Sequence, residues 1–368
     1  MLNIVVPMAG RGSRFASAGY AAPKPLIPVG GKPMIQWVID NVRPSVPHRF
    51  IFICLEDHLR EYPDVPAALR RLCPGCEIVE VSQVTEGAAC TVLLARQFID
   101  NDDPLMIANA DQFVKIPIDR YLAQMNERQA DGLIMTFWAD HPKWSYCRMR
   151  PDGTVAQVVE KNVVSNDATV GIYNFRHGRD YVRAADVMIA KNLRVNNEFY
   201  VAPTYDQMIE GGGKVVIADT GREYDGMFGL GTPGDLDFFI TTETYRHGRV
   251  AKQPSDYEAA ELTRRRSELY ARFFNEKNVA GVRAMLADSA TLKDPDVFLS
   301  GREAIMEFVS GLFSQTAELS FQPRRIIAEL EQSVIEFELA LDDQRLVGAD
   351  IIRWTTDHHI ASVDAYIY

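Results

Sequence analysis

A loop rich in glycine and arginine near the start of the chain carries residue types that bind phosphate. The apolar run Ile4-Val5-Val6 leads into this loop, whose sequence is Gly10-Arg11-Gly12-Ser13-Arg14. Glycines let backbone N–H groups close around an anion, and arginine presents a forked donor that matches phosphate oxygens. Lys24 follows between two prolines, which stiffen the backbone behind its ammonium group. These features predict a triphosphate-binding loop.

Two familiar nucleotide-binding motifs do not match this loop. The dinucleotide fingerprint requires a third glycine at the position that Phe15 occupies. The Walker loop requires serine or threonine after its Gly-Lys pair, whereas Gly31-Lys32 is followed by Pro33. The loop therefore predicts a nucleotide site of another type, and a nicotinamide-dependent oxidoreductase is disfavoured.

Asp111 is the candidate metal ligand. It follows the apolar stretch Leu105-Met106-Ile107-Ala108, which predicts a buried strand. In parallel sheets, ligands bind beyond the carboxyl ends of the strands, where the glycine loop and Asp111 would both lie. A carboxylate opposite a cationic triphosphate loop suits Mg²⁺, which keeps several waters and binds few protein carboxylates. The alternative interpretation is that Asp111 only caps the following turn.

Composition and charge narrow the possible function classes. The 368 residues carry a net charge of −11, which disfavours nucleic-acid binding because that requires a basic face. No apolar run approaches the roughly 18 residues of a membrane span, and the N-terminus lacks the basic region of a signal peptide. Five cysteines include Cys73-Pro74-Gly75-Cys76, either a redox pair or, as we expect, a turn with two reduced thiols. We therefore expect a cytoplasmic protein.

The first two thirds of the chain alternate apolar strands with helices. Strands are predicted to begin near Ile4, Arg49, Cys76, Pro104, Gly132, Thr169 and Lys214. This pattern predicts an α/β fold with a GT-A or Rossmann-like, mostly parallel sheet that helices cover on both faces. Pro151-Asp152-Gly153 predicts a hairpin turn, and a helix is predicted to begin at Asn197.

The chain divides into two predicted domains. Polar residues around Gln253-Pro254-Ser255 indicate a linker at 248–257, which separates a first domain at 1–247 from a second at 258–368. The second domain begins with an amphipathic helix and ends in alternating strands. That order predicts a small α+β fold.

The ordered motifs of the first domain, from Met1 to about Ile240, resemble those of the sugar-phosphate nucleotidyltransferase family. They are Pro7-Met8-Ala9-Gly10-Arg11-Gly12-Ser13-Arg14-Phe15, Pro23-Lys24-Pro25-Leu26, Asn109-Ala110-Asp111, Val159-Glu160-Lys161 and Asn197-Glu198-Phe199. The resemblance implies Mg²⁺-dependent transfer of a nucleoside monophosphate from an NTP. The acceptor would be a phosphorylated or phosphonylated small molecule, and pyrophosphate would be released.

The resemblance also implies a role for each matching residue. Arg14, Lys24 and Lys161 would be catalytic, the last by holding the acceptor phosphate. The nucleotide would be bound by Ala9, Gly10, Arg11, Gly12 and Ser13 in the loop, and its base would be read by Gln83 and Gly87. The acceptor would contact Tyr146, Glu160, Lys161 and Glu198.

Further likeness points to a branch that serves capsule and lipopolysaccharide assembly. This branch includes cytidylyltransferases for acceptors such as phosphoglutamine. Three segments resemble it: Trp144-Ser145-Tyr146-Cys147-Arg148, Val163-Val164-Ser165-Asn166 and Leu230-Gly231-Thr232-Pro233. CTP is therefore the expected donor, and a sugar-1-phosphate thymidylyl- or uridylyltransferase is the alternative. Many sugar-specific members place a second metal aspartate just before the final Gly-Thr. This chain has none there, and Asp225 is the nearby substitute.

The second domain resembles the NTF2-like (SnoaL-like) cone fold through Asp294-Pro295-Asp296, Ser300-Gly301-Arg302 and its final strands. Proteins of this fold range from isomerases to pure dimerisation modules, so the fold alone assigns no activity. Asp294 and Asp296 are either a general base or, as we expect, turn carboxylates. His358-His359 fits a hairpin turn better than a metal site. We expect a homodimer formed through this domain.

Two other interpretations remain open. A GT-A glycosyltransferase would show Asp-x-Asp where this chain has Asn109-Ala110-Asp111, and it would not need Pro23-Lys24-Pro25-Leu26. A nucleotide-binding scaffold or regulator, with the second domain as its interaction module, would bind NTP without releasing pyrophosphate. Pyrophosphate release therefore distinguishes a nucleotidyltransferase from both of these alternatives.

Overall fold

The computed structural model describes residues 1–10, 12–242, 244–245 and 256–367, except for the side chains of 256–259 and 261. The chain divides into two units, Met1–Pro233 and Gly234–Tyr368. Each unit is built around its own large sheet.

The first unit has a sheet of eleven strands. They are β1 (Leu2–Met8), β4 (His48–Leu55), β5 (Glu77–Val81), β6 (Leu105–Ala108), β7 (Gln112–Val114), β8 (Gly132–Trp138), β9 (Ser145–Met149), β10 (Val155–Glu160), β11 (Asp167–Phe175), β12 (Val215–Glu223) and β13 (Gly226–Gly229). A separate two-stranded ribbon consists of β2 (Pro28–Val29) and β3 (Lys32–Pro33).

Strand directions confirm the predicted mostly parallel sheet. The main order is β5-β4-β1-β6-β11-β8-β12-β13-β7, and within it β11 and β7 run opposite to the other strands. β9 and β10 form the hairpin predicted at 151–153, and β9 joins the sheet through β11. The glycine loop and Asp111 follow the parallel strands β1 and β6, so both lie at the same edge of the sheet.

Helices and the apolar centre of the sheet form the core of the first unit. The helices are α1 (Ser13–Ser17), α2 (Met34–Val42), α3 (Glu56–Glu61), α4 (Asp64–Leu72), α5 (Ala88–Leu93), α6 (Arg96–Ile99), α7 (Ile118–Glu127), α8 (Gly178–Ala190) and α9 (Thr204–Glu210). Ile4, Val5 and Val6 of β1 are fully buried, as expected for a strand with neighbours on both sides and layers above and below. The burial of β1 places the loop that follows it on a rigid support.

Two details differ from the sequence predictions. The helix predicted to begin at Asn197 begins at Thr204, directly after Pro203, whose fixed φ suits a helix start. Residues 195–198 instead make a local bridge between Val195 and Glu198. In addition, α8 forms at 178–190, where the sequence analysis identified no element.

The second unit is an α+β fold, as predicted. Its elements are α10 (Pro233–Phe239), α11 (Asp256–Asn275), α12 (Val279–Met285), α13 (Arg302–Gln315), β14 (Leu286–Lys293), β15 (Phe298–Ser300), β16 (Leu319–Ala328), β17 (Gln332–Leu341), β18 (Gln344–Trp354) and β19 (Ile360–Ile367). The strand order is β15-β14-β19-β18-β17-β16, with β14 and β19 parallel and the other neighbours antiparallel. The aromatic rings of Tyr270, Phe274, Phe313, Phe321 and Phe337 pack against one another inside this sheet and its helices.

The predicted linker at 248–257 lies almost wholly outside the described residues; its last two positions, 256 and 257, belong to α11. The domain division near 247 therefore stays a prediction, while the two units meet in sequence at Pro233 and Gly234. Across the described ranges, no helix combines the length and apolar character needed to span a membrane.

Candidate functional site

The glycine loop forms a tight connection between β1 and α1. Gly12 adopts the left-handed conformation with φ of 60°, which favours glycine, and it directly precedes the first residue of α1. Ala9 is buried, whereas Gly10, Ser13 and Arg14 are solvent-accessible. Arg11 lies outside the described residues. The accessible members of the loop are therefore open to a ligand.

Lys24 is held beside this loop and pairs with Asp111. The lysine begins a short 3₁₀ turn after Pro23, whose backbone is extended. A side chain at Gly12 would place its Cβ 3.3 Å from the Lys24 Cβ, so the glycine permits the close approach. The Lys24 ammonium forms an ion pair with the carboxylate of Asp111, and both side chains are about a quarter exposed. Two residues 87 positions apart in the sequence thus meet at the edge of the sheet.

Asp111 is also fixed by the segment that follows β13. The Leu230 backbone N–H donates to the Asp111 carbonyl at 2.7 Å. A Cβ at Gly231 would lie only 2.7 Å from Asp111 Oδ2, so a side chain at this position would displace the Asp111 carboxylate. The Leu230-Gly231 part of the sequence motif therefore lies next to the candidate metal ligand.

Asp225 does not join Asp111. It precedes β13, is exposed, and lies with its Oδ1 3.0 Å from Lys115 Nζ, whereas the contacts to Asp111 come from residues after β13. The length of that strand therefore separates the two carboxylates. Among the residues that the structure describes, no cluster of three or more His, Cys, Asp and Glu side chains is arranged to hold a metal.

A cavity of about 170 Å³ adjoins the segment that carries Asp111. Its lining residues come from the 109–112 segment, α5, the β9–β10 hairpin, β11 and the 200–202 segment. They are Ala88, Asn109, Gln112, Lys143, Trp144, Ser145, Glu160, Thr169, Val170, Gly171, Tyr173, Tyr200, Val201 and Ala202. This volume is below the roughly 300–1,000 Å³ of pockets for drug-sized ligands, so the cavity suits a small molecule.

Glu160 lines this cavity at the end of β10, and Lys161 follows directly after that strand. The Ser145 hydroxyl donates to the Glu160 carboxylate, and the two residues face each other across the β9–β10 ladder. Burial raises the pKa of Glu160, while the hydrogen bond from Ser145 and the charge of Lys161 act in the opposite direction. Glu160 is therefore a hydrogen-bond acceptor inside the cavity wall.

The ammonium group of Lys161 is oriented by Tyr200. Lys161 Nζ donates to the Tyr200 hydroxyl at 2.7 Å, and this hydrogen bond raises the pKa of Lys161. Tyr200 also hydrogen-bonds to the exposed Glu198. Tyr200 lines the cavity, and its hydroxyl connects this wall to Lys161 and Glu198, which lie outside the lining. The sequence analysis did not select this tyrosine.

The remaining predicted site residues have different surroundings. Gly87 has φ of 134° and packs so tightly on Phe199 that a Cβ would lie 2.4 Å from its carbonyl oxygen. It begins α5 next to Ala88, a cavity residue. Gln83 is exposed beyond the end of β5. Tyr146 is fully buried and donates its hydroxyl to the His141 carbonyl at 2.7 Å, so its side chain does not line the cavity.

Several cavity residues were missed by the sequence analysis although they adjoin quoted motifs. Ser145 lines the cavity where Tyr146 was predicted, because neighbouring residues of a strand point to opposite faces. Trp144 was part of a quoted motif without an assigned role, and Gln112 directly follows Asp111. The alternation along β9 was the signal that distinguishes Ser145 from Tyr146.

Three motifs outside this site lie between regular elements of the structure. Asp294 Oδ1 accepts from the backbone N–H groups of Asp296 and Val297, at 2.8 and 2.7 Å, as a turn carboxylate does. His359 pairs with Asp357 at 3.0 Å in the turn before β19. Cys73 and Cys76 are free thiols, and burial raises the pKa of Cys73 to about 11. The roles expected for these three motifs stay predictions.

Comparison with protein families identifies the class. Residues 4–194 match the nucleotidyl transferase family, and residues 267–363 match the SnoaL-like domain. The chain therefore belongs to the nucleotidyl transferase family and carries a SnoaL-like domain in its second unit. The predicted resemblances of both domains are confirmed.

Curated relatives are similar over part of their length. The chain is 27% identical over 305 residues to the bifunctional protein GlmU of Burkholderia multivorans, which covers 80% of this chain and 56% of the relative. It is 23% identical over 186 residues to the GlmU of Methanococcus maripaludis, covering 48% and 40%. The chain thus spans about half the length of the curated relatives that it matches.

Solved structures share the fold of the first unit. The nucleoside-diphosphate-sugar pyrophosphorylase from Vibrio cholerae aligns with a TM-score of 0.55 and 26% identity, covering 64% of this chain and 99% of that chain. The inositol-1-phosphate CTP transferase from T. maritima aligns with a TM-score of 0.52 and 14% identity, covering 68% and 98%. At that identity the second likeness concerns the fold alone.

Proposed function

We propose that this protein transfers a nucleoside monophosphate from an NTP to a phosphorylated small acceptor and releases pyrophosphate. The observation that carries the proposal is the ion pair between Lys24 and Asp111, because it joins the glycine loop to the 109–112 segment. Asn109 and Gln112 of that segment line the acceptor-sized cavity. A triphosphate at the loop and an acceptor in the cavity would therefore meet beside Asp111.

The reaction needs positioning and charge neutralisation more than a protein nucleophile. An oxygen of the acceptor phosphate attacks the α-phosphorus in line, the bond to the β-phosphate oxygen breaks, and pyrophosphate leaves. We assign the β- and γ-phosphates to Arg11, Ser13 and the backbone of Gly10 and Gly12. Arg14 and Lys24 would stabilise the charge that grows between the α-phosphate and the departing pyrophosphate.

A single protein carboxylate is compatible with Mg²⁺ at this site. Asp111 is partly exposed and pairs with the cationic Lys24, which supports a cation at this position. Mg²⁺ commonly binds one or two carboxylates together with substrate phosphates and waters. Asp111 would thus hold the ion when the triphosphate is bound, and the ion would neutralise phosphate charge.

The acceptor phosphate would be held by Lys161. Its ammonium is oriented by the Tyr200 hydroxyl at 2.7 Å, beside the cavity. Glu160 and Glu198 would contact the polar body of the acceptor. Among the relatives, a nucleoside-diphosphate-sugar pyrophosphorylase at 26% identity supports an acceptor of the sugar-phosphate type.

CTP is the donor that we propose, from the sequence likeness to cytidylyltransferases of cell-surface glycan assembly. The base would be read near Gln83 and Gly87, and the latter begins α5 beside the cavity residue Ala88. A sugar-1-phosphate thymidylyl- or uridylyltransferase is the alternative, since UDP-glucose pyrophosphorylase is among the proteins of similar fold.

The proposal is tested with a matrix of CTP, UTP, dTTP, ATP and GTP against phosphorylated sugars, polyols and amides, read as Mg²⁺-dependent pyrophosphate release. We expect release with at least one acceptor and preference for CTP. Dominant activity with dTTP or UTP would overturn the base assignment alone. Tight NTP binding without pyrophosphate release across the whole matrix would favour a nucleotide-binding scaffold instead.

A further inference from the structure

We infer that Trp144 and Gln112 select the acceptor by its body rather than by its phosphate. The inference rests on the proposed function and names the substrate class that the cavity takes. The acceptor would carry, besides its phosphate, a compact body with a hydrogen-bond acceptor for the Trp144 indole and a donor for the Gln112 carboxamide. Hydroxyl groups of a sugar or polyol and a carboxamide group share this chemistry.

Two buried polar atoms of opposite type lack protein partners at the cavity. Trp144 Nε1 and Gln112 Oε1 are both inaccessible to solvent, and neither has a hydrogen bond within the described part of the chain. Both residues line the cavity. Buried polar groups in native proteins are nearly always paired, and each exception calls for an explanation. A ligand that supplies both missing partners explains these two.

The indole of Trp144 is held in place by its neighbours. Its ring packs edge-on against Phe137, with centroids 5.0 Å apart. The Lys143 ammonium lies 4.6 Å from the centre of the indole and pairs with Glu223 at 2.7 Å. These contacts orient the indole N–H before any acceptor arrives, which is the condition for selective recognition.

The carboxamide of Gln112 is accommodated by the absence of a side chain at Gly171. A Cβ at that glycine would lie 2.6 Å from Gln112 Oε1 and 2.2 Å from Asn109 Nδ2. Gly171 has φ of 100° in β11, where the pairing with β8 is irregular. Gln112 itself is 9% exposed. The backbone of β11 therefore leaves room for the carboxamide of this cavity residue.

Glu160 adds a third polar group to the same wall. Its carboxylate accepts from the Ser145 hydroxyl and keeps lone pairs for a ligand donor. The wall thus offers one hydrogen-bond donor and two hydrogen-bond acceptors at different points of a small cavity. Together they distinguish acceptor substrates by the positions of their hydroxyl or amide groups. A site built to pair a substrate hydroxyl strongly rejects the analogue that lacks it, because the protein group is then left unpaired.

The test uses Trp144→Phe and Gln112→Leu, which remove the hydrogen-bonding atoms and keep similar bulk. The control is Trp138→Phe, because Trp138 is 40% exposed, lies beneath Arg222 and is not a cavity residue. Probes are glucose 1-phosphate with its 2-, 3-, 4- and 6-deoxy analogues, and a phosphorylated carboxamide with the analogue in which an isopropyl group replaces the carboxamide. Readouts are kcat/KM for the acceptor, KM for the NTP, and acceptor binding by calorimetry.

We expect each variant to lower kcat/KM for the best acceptor about 10- to 100-fold, with the NTP KM unchanged, since one buried partner is left unpaired. For each variant, one analogue lacks the group that the wild-type side chain would contact. With that analogue, the kcat/KM of the variant should equal that of the wild type. Whether that analogue is a deoxy sugar or the isopropyl compound distinguishes the hydroxyl from the amide source. The control should behave like the wild type.

Equal losses with every analogue, or changes under twofold in both variants, would overturn the inference. The two variants lie on different elements, so a folding failure of one, seen as a large drop in melting temperature, leaves the other to decide. If the wild type releases no pyrophosphate, the proposed function fails. Calorimetry with the same probes then decides the inference, which is overturned if no probe binds or if both variants bind like the wild type.

Discussion

Lys24 and Asp111 show how two charged side chains define the candidate reaction centre. Their ion pair connects the loop after β1 with the loop after β6, two parallel strands that lie next to each other. A bound triphosphate would bring further negative charge to the same place, so the lysine and a metal ion would share the work of neutralising it. Both residues can be tested singly because neither is part of the buried core.

Substituting Lys24 by methionine should reduce turnover about 10²- to 10³-fold, the usual effect of removing one well-placed donor. The fold should persist, because the side chain is partly exposed and methionine keeps its aliphatic length. Steady-state pyrophosphate release and a thermal melt measure the two properties. Lys32→Met is the matched control, since the Lys32 side chain is 33% exposed, close to that of Lys24, and pairs with Asp40 at 3.5 Å. Near-normal turnover of Lys24→Met would remove the lysine from the mechanism.

Asp111→Asn should abolish most of the Mg²⁺-dependent turnover, by at least about 100-fold. Asp225→Asn should stay within about twofold of the wild type, because Asp225 is an exposed partner of Lys115 at 3.0 Å. The measurement is pyrophosphate release over a range of Mg²⁺ concentrations. Comparable losses in the two variants would indicate a two-carboxylate site and would contradict the separation seen between these residues.

At the scale of elements, strands and turns set which side chain reaches which space. The β9–β10 hairpin places Ser145 opposite Glu160, and the glycine in β11 leaves room for Asn109 and Gln112. In the second unit, β18 carries Asp350 inward, where its carboxyl group hydrogen-bonds to Tyr270 of α11. Each arrangement depends on the register of two elements.

The burial of Asp350 predicts how stability changes with pH. Asp350 is 4% exposed, and burial raises its pKa to about 7, although the hydrogen bond from Tyr270 acts against this. The folded state therefore holds this proton more tightly than the unfolded state, whose aspartate pKa is about 3.9. The stabilisation is complete below about pH 4 and is lost as the pH rises to about 7. The total effect is on the order of 4 kcal/mol.

The measurement is urea unfolding of the whole chain between pH 4 and 8, with Asp350→Asn as the comparison. The variant cannot ionise at this position, so its free energy of unfolding relative to the wild type should increase across that range. A constant difference between the two proteins at all pH values would show that Asp350 does not titrate as its burial implies.

At the scale of the whole molecule, three exposed apolar residues of the second unit suggest where copies of the chain meet. Phe298 is 67% exposed, Tyr366 52% and Ile367 37%. In the sheet, Phe298 of β15 lies opposite Lys293 of β14, and Lys293 lies opposite Asp364 of β19. Tyr366 and Ile367 follow Asp364 along β19, so the three apolar residues lie near the same end of these strands. Apolar residues grouped in this way are typical of protein contacts.

We predict a homodimer through this group of residues. Light scattering should give about twice the chain mass of 41.4 kDa. The double variant Phe298→Lys with Tyr366→Lys should be monomeric, because charged groups would be placed in an apolar interface. Ile327→Lys is the control, since Ile327 is 44% exposed on β16 at the opposite edge of the sheet. A wild-type chain that is monomeric at all concentrations tested would contradict the prediction.

Local features of the sequence determined the main strands of the first unit and the residues that follow them. The apolar run Ile4-Val5-Val6 predicts a strand that is buried on both faces, and these residues are fully buried. The glycine loop follows this strand directly, so it lies at the carboxyl end of the strand. The same reasoning predicted that Asp111 lies at the carboxyl end of β6. Such predictions succeed because they depend on neighbours in the sequence.

Only the tertiary structure decided which side chains share a cavity. Ser145 rather than Tyr146 faces the cavity, since the pairing of β9 with β10 and β11 sets which face of the strand is covered. Asp225 lies at the far end of β13 from Asp111, and Tyr200 reaches Lys161 across 39 positions of sequence. These distances depend on strand order and register, and such long-range pairings are not encoded in any local segment.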